Sequence, residues 1–459
     1  MKQLLLFLFI FFQVACSDNE NFNITDFDAI ADGQTVNTSS IQKAIDAASA
    51  AGGGKVIVPK GTFVTGTIYL KDNVTLHLDE GAVLLGSPHL DDYPMHELST
   101  IRSYTERYTK KGLIYAEGAQ NIAIVGTGTI NGNSFAPEFR QASKEDMTLK
   151  PLGIKFISCK NVQVEGVTIM QSGLWLQHYL NCEDLTVRDI KAINHGNFTN
   201  DGMNVDGCRD VLIENISIDS HDDALVFKST GPAKCENVKV RNCILKSHCH
   251  GLKFGTETTG GFSNFDISGI RIMPSDSVHY KTGKLWRVIT GVALEITDGG
   301  TMEDITINNL QADSVYAPIF IKLGNRARKH REDAPNPTPG TIKNITLSDF
   351  TITDAGPFSS SVTGFPGHQV KDVTLKNISI QYNVAPKEVE VFTEVPENEK
   401  RYPEITMFTK GIPETKYLPT YGLFARNVDG LTIENFDVQP AESDPRKIFQ
   451  FIKVKNLTQ

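Results

Sequence analysis

Asn161-Val162-Gln163-Val164-Glu165-Gly166-Val167, Asp210-Val211-Leu212-Ile213-Glu214-Asn215-Ile216, Asn344-Ile345-Thr346-Leu347-Ser348-Asp349-Phe350 and Asp372-Val373-Thr374-Leu375-Lys376-Asn377-Ile378 are one pattern written four times. Each opens on Asn or Asp, alternates apolar with other residues, breaks at Gly, Asn or Asp, and then resumes. Alternation with a period of two marks a strand with one buried face. At least nine copies run from Asn121 onward, and between Asn161 and Asn264 their starts lie 23 to 27 residues apart. That period fits one coil of several short strands joined by tight turns.

In such a coil the apolar residues point inward. The recurring Asn and Asp sit at corners, where they tolerate left-handed backbone and hydrogen-bond neighbouring amides. No single coil can bury its apolar face alone, so stability comes from stacking. The expectation is an all-β, right-handed parallel β-helix, a single domain over residues 24–459. A leucine-rich solenoid is excluded because each repeat lacks a helical half. Triplets such as Asn344-Ile345-Thr346 read as corners before they read as glycosylation sites.

Upstream, Ile41-Gln42-Lys43-Ala44-Ile45-Asp46-Ala47-Ala48 has helical periodicity, with Ser39 or Ser40 as N-cap and Gly52-Gly53-Gly54 as terminator. This helix is expected to cover the exposed core of the first coil. Insertions interrupt the repeats near Asp91 to Gly112, Asn133 to Pro151, Ser275 to Ile289, Asn325 to Gly340 and Asn383 to Tyr421. Loops of this kind tend to build one functional face of a solenoid.

Leu4 to Val14 is an apolar run behind Lys2, too short to span a bilayer, so residues 1–16 read as an export signal. Ala15-Cys16 followed by Ser17-Asp18 resembles a bacterial lipoprotein cleavage site, with Gln13 where Leu is common and Cys16 as the lipidated anchor. The expected location is outside the cytosol: periplasm, outer membrane or secreted.

A chain of 459 residues with 40% hydrophobic content can bury a large core. Its net charge of −9 opposes nucleic acid as a partner, and a monomer is expected. Cys159, Cys182, Cys208 and Cys235 each stand two residues ahead of the Asn or Asp that opens a repeat. Stacked chains lie about 4.8 Å apart, whereas bridged Cβ atoms lie about 3.8 Å apart, so a ladder of free thiols is expected.

Between Thr199 and Gly251, three runs put acids and histidines at the same point of consecutive repeats: Asn200-Asp201-Gly202, His221-Asp222-Asp223 and His248-Cys249-His250-Gly251. Each precedes a short alternating strand, namely Met203 to Val205, Leu225 to Phe227 and Leu252 to Phe254. If the strands stack, the acids stack. Neighbouring positions on a strand face opposite ways and no matching ligand set accompanies His248, Cys249 and His250, so neither metal nor cofactor is expected.

Asp26-Phe27-Asp28-Ala29, Gly52-Gly53-Gly54-Lys55-Val56, Val58-Pro59-Lys60-Gly61 and Asn73-Val74-Thr75-Leu76 resemble the opening of pectin-degrading β-helix enzymes. Asn200-Asp201-Gly202, Asp222-Asp223 and His250-Gly251 resemble the three motifs of glycoside hydrolase family 28, the polygalacturonases. Trp175 and His178 resemble a substrate-side motif of its exo-acting branch.

The resemblance implies inverting hydrolysis of galacturonate linkages in a pectic polysaccharide or oligosaccharide. Asp222 would be the general acid, Asp201 and Asp223 the pair that activates water, and His250 the residue that holds their protonation and geometry. Asn200, Asn204 and Lys228 join Trp175 and His178 as expected substrate contacts. One departure bears on substrate. The family's Arg-Ile-Lys motif is replaced by Gly291-Val292-Ala293-Leu294-Glu295, so Glu295 would repel a sugar carboxylate unless Lys253 or Lys322 compensates. Arg326, in the run Arg326-Ala327-Arg328-Lys329-His330-Arg331, is a further source of cations.

Rhamnogalacturonan is the alternative substrate within the family. A polysaccharide lyase would need an Arg or Lys base, usually with calcium, which the acidic triad fits poorly. A carbohydrate-binding β-helix without activity would have no need of Asp222-Asp223.

Overall fold

The computed structural model describes residues 20–96, 102–196, 199–278, 286–387, 390–397 and 416–459. The export signal and Cys16 fall outside these residues. From Asn21 to Thr458 the strands form one parallel system, each pairing with its counterpart one coil away. The result is a right-handed parallel β-helix.

The sequence pattern explains the coil directly. Val162, Leu185, Val211, Val238, Phe265, Ile305, Ile345, Val373 and Leu431 occupy one register row and are buried. The corner residues beside them take left-handed backbone: φ is 53° at Asn161, 56° at Asp210, 54° at Asn344 and 50° at Asp372. Such backbone is tolerated by Asn and Asp because their short side chains bond locally. These side chains also bond between coils, as where Asn237 Nδ2 donates to Asp210 Oδ1 (3.0 Å) and Asn264 Nδ2 to Asn237 Oδ1 (2.8 Å).

The core is continuous along the axis, and beneath the acidic stretch it is aromatic. The Phe254 ring lies 5.0 Å from Phe227, 5.3 Å from Phe262 and 4.8 Å from Phe265. Cys159, Cys182, Cys208 and Cys235 form the expected ladder of buried free thiols, and Cys182 N donates to Cys208 Sγ at 3.3 Å.

The capping helix spans Thr38–Ala50 and buries Ile41, Ala44, Ile45 and Ala48. It starts earlier than the serines suggested. Asn37 stands at the N-cap, but its side chain is turned back to tie the incoming chain, accepting from Ile30 N (2.7 Å) and donating to Thr35 O (2.7 Å). At the other end, Gly53 adopts φ 137°, and a Cβ there would meet Asn73 O at 2.8 Å. Glycine therefore lets the helix end press against the first corner.

Two of the inserted segments carry structure of their own. Residues 102–109 carry a short 3-10 turn, Tyr104–Arg107, boxed by Ser103 and Glu106. The Asn133 to Pro151 insertion carries a second helix, Pro137–Glu145. Parts of the insertions near Ser275 and Asn383 lie outside the described residues.

Candidate active site

The three acidic runs stack as their spacing implied. Met203 pairs with Leu225 and Leu225 with Leu252, and the ladder continues upstream where Gly202 N donates to Asp223 O (2.8 Å) and Ala224 N to His250 O (2.9 Å). Asp201, Asp223 and His250 therefore share one row. Asp222 falls in the next, with its N–H on Asn200 O at 3.1 Å. Its carbonyl accepts from Ser220 Oγ (2.7 Å) on the same coil and from Ser247 Oγ (2.6 Å) on the next, which fixes the turn.

Burial and charge then separate the carboxyls. Burial, reinforced by Asp222 and Asp223, holds Asp201 well above the usual carboxylate range. Burial and the charge of Asp223 push Asp222 up to about 6, with Lys253 opposing. Burial also pushes Asp223 up, but its neighbours, Lys253 foremost, outweigh it and leave this carboxyl below its ordinary value. The dominant partner is explicit: Lys253 Nζ lies 2.8 Å from Asp223 Oδ2. Burial, with Lys253 adding to it, lowers His250 to about 3, so this imidazole is neutral. A carboxylate oxygen of Asp223, Cys249 Sγ and a ring nitrogen of His250 lie within 4.8 Å of one another. Below about pH 6 the site thus pairs a protonated acid with an ionised base, the arrangement that general acid/base chemistry needs.

The remaining expected contacts are distributed differently. Trp175 is 6% exposed, packed edge-on against Tyr108 (5.7 Å) and His178 (5.1 Å), with Lys228 Nζ 5.0 Å from its ring centroid. It is part of a wall, not an open platform. His178 is buried beneath it, with Nε2 3.1 Å from Asp206 Oδ2. Asn204, next to His178 in register, is fully buried. Asn200 is placed as a corner group, its amide donating to Ser172 O (2.9 Å) and Leu174 O (2.7 Å).

Glu295 pairs with Lys322 in register, yet both of its carboxyl oxygens are buried without a hydrogen-bond partner among the described residues. No hydrogen bond from Lys322 reaches them. Burial raises Glu295 to about 7, against the opposing charge of Lys253. Arg326 is engaged by a buried acid, with Nε on Asp298 Oδ1 at 2.8 Å and Nη2 on Thr256 O at 2.9 Å.

Glu257 is a site residue that the repeat pattern hides. It bridges Lys228 (3.1 Å) and Arg328 (2.9 Å), and these cations with Arg326 outweigh burial to hold it well below its ordinary value. Phe227 and Ser229 pair with Phe254 and Thr258, so the second strand bulges by two residues and the alternation there is broken. Gly255 makes the bulge feasible at φ 93°, where a Cβ would meet Glu295 O at 2.9 Å. Arg328 then closes the wall, its guanidinium 3.6 Å from the centroid of Tyr104 in the inserted turn.

The probable polygalacturonase of Vitis vinifera is 25% identical to this chain over 391 residues, covering 80% of the chain and 75% of that protein. The hyperthermoactive exopolygalacturonase of Thermotoga maritima superposes with a TM-score of 0.65 at 23% identity, covering 91% of this chain and 92% of that one. The family 28 exopolygalacturonase of Yersinia enterocolitica superposes with a TM-score of 0.68 at 18% identity, covering 96% and 78%. The family model described as glycosyl hydrolases family 28 matches residues 51–399. With that match over most of its length, the chain belongs to glycosyl hydrolase family 28.

Proposed function

We propose that this glycoside hydrolase releases galacturonate from the ends of pectic chains with inversion of configuration. The observation that carries the reading is the division of labour between adjacent carboxyls: Asp222 is raised to about 6 while Asp223, held by Lys253, is kept ionised. Asp222 gives its proton to the leaving oxygen. Asp223 takes a proton from water, and Asp201, raised by its neighbours, positions that water by hydrogen bonding. The neutral His250 fills the row between Asp223 and the next coil without competing for protons.

Exo action is supported by the packed cluster of Tyr104, Tyr108, Trp175 and Arg328, in which the inserted turn meets the coils beside the acidic row. The same wall carries Lys228, Arg326 and Arg328 against two buried acids, Glu257 and Asp298, an excess of positive charge suited to a sugar carboxylate. Polymer substrates cannot enter a cell, which agrees with export through the Leu4 to Val14 signal and anchoring at Cys16.

Rhamnogalacturonan is a second reading, favoured by Glu295. A buried carboxyl near neutral pKa suits the hydroxyls of an uncharged sugar. Product analysis on polygalacturonate and rhamnogalacturonan, without added calcium, tests both. Saturated galacturonate released with inverted anomeric configuration supports the first reading, and cleavage of rhamnogalacturonan alone supports the second. An unsaturated product that requires calcium would place the protein among lyases and refute both.

A further inference from the structure

We propose that His195, His221 and His248 form a binding site for a divalent transition-metal ion of the zinc class, behind the turn that presents Asp222. The sequence reading found no ligand partners for His248 because its neighbours in space come from other coils. Asn194 pairs with Ser220 and Ser220 with Ser247, so the residue after each of these strand positions is a histidine in the same row. One ring nitrogen from each of the three lies within 4.8 Å of the others. The ring centroids are 5.1 Å apart for His221 and His248 and 6.1 Å for His195 and His248. Zinc–imidazole bonds of about 2.0–2.1 Å need a modest further approach, within the reach of side-chain rotation.

The surroundings have the chemistry of a ligand shell. All three histidines are nearly buried, with exposures of 8%, 6% and 3% in chain order. His195 Nε2 faces Asp219 Oδ1 at 3.1 Å, and Asp219 is itself fixed by Ser275 Oγ (2.6 Å) and Asp276 N (3.2 Å). A carboxylate acceptor at Nε2 keeps the hydrogen there and leaves the lone pair on Nδ1. His195 Nδ1 is buried with no hydrogen-bond partner. A carboxylate that sets the tautomer of a liganding histidine is the usual outer-shell arrangement at such sites. Three imidazoles with no carboxylate in the inner set favour zinc, copper or nickel over calcium or magnesium, and leave a fourth position for water.

The ion would tie three successive coils together next to the catalytic acids. His221 directly precedes Asp222, and His248 N donates to Ser220 O at 3.3 Å. Its predicted effect is on rigidity and stability. The inference does not depend on which sugar is cleaved.

The test uses the full mature chain without a histidine tag, stripped with chelator and titrated with zinc chloride, with bound metal counted by mass spectrometry. The expected result is one zinc per chain and a melting temperature that rises with zinc. His195→Ala should weaken binding more than about 100-fold and Asp219→Asn by about 10- to 100-fold. His195→Gln, which keeps most of the volume, replaces the alanine variant if that one does not fold by circular dichroism. Absence of stoichiometric zinc in the folded wild type, or equal uptake by a folded His195 variant, would overturn the proposal; the latter would place the ion at another histidine.

Discussion

Lys253 Nζ sits 2.8 Å from Asp223 Oδ2, and both side chains are more than nine-tenths buried. This pair is the largest of the influences that oppose the burial of Asp223, ahead of Lys228, and so governs the charge state of the acidic row. Removing one partner of a buried pair leaves the other uncompensated. Lys253→Met is expected to lower kcat/KM by about 100-fold, on the scale of a lost acid/base contribution. It should also raise the acidic limb of the pH profile. An unshifted limb, measured in the folded variant, would show that Asp223 does not depend on Lys253.

The wild-type profile itself should be bell-shaped. Asp222 must be protonated to act, so activity falls as pH rises through about 6. Asp223 must be ionised, so activity falls again on the acid side, below the ordinary aspartate range, because its carboxyl is held down. The two limbs describe the coupled cluster more than single residues. Steady-state kcat/KM from acid to neutral pH reads both limbs, and a maximum above neutrality would contradict the assignment.

Glu295→Gln should act on substrate choice. If the subsite takes a neutral sugar, kcat/KM falls more on rhamnogalacturonan than on polygalacturonate. If Glu295 repels a carboxylate, the variant gains activity on polygalacturonate. The buried, unpartnered oxygens of Glu295 predict a measurable effect on at least one polymer; negligible change on both would assign Glu295 no part in recognition.

Phe254 is fully buried among Phe227, Phe262 and Phe265, on the strand that also presents Lys253 outward. Phe254→Ala is expected to cost about 3–5 kcal/mol through lost burial and the cavity left behind. Chemical denaturation measures this as a lower midpoint. A shift below about 1 kcal/mol would mean that the coil collapses freely around the gap.

The fold was legible because each repeat solves its own problem locally. Asp210 and Asn215 sit at φ 56° and 55°, the corners that their short polar side chains announce, and Val211 and Ile213 between them face inward. Asp201, Asp223 and His250 were legible for the same reason: each stands two residues before a core position of its strand. Glu257 was not, because it lies on a bulge where the alternation stops. The amide of Asn200 binds backbone carbonyls of the preceding coil, a positioning task that its place in the motif does not announce. Lys322 and Glu295 are register partners, but adjacency in register does not make a hydrogen bond between their side chains. The histidine trio needed three coils in space, and no spacing within one coil reveals it.

The most direct test of the account is the turnover of Asp222→Asn. The substitution keeps the shape of the side chain and removes its transferable proton, so the account predicts a folded protein whose kcat falls by about 100- to 10,000-fold. Near-normal kcat on polygalacturonate or rhamnogalacturonan, from a variant with unchanged circular dichroism, would contradict the assignment of Asp222 as the proton donor.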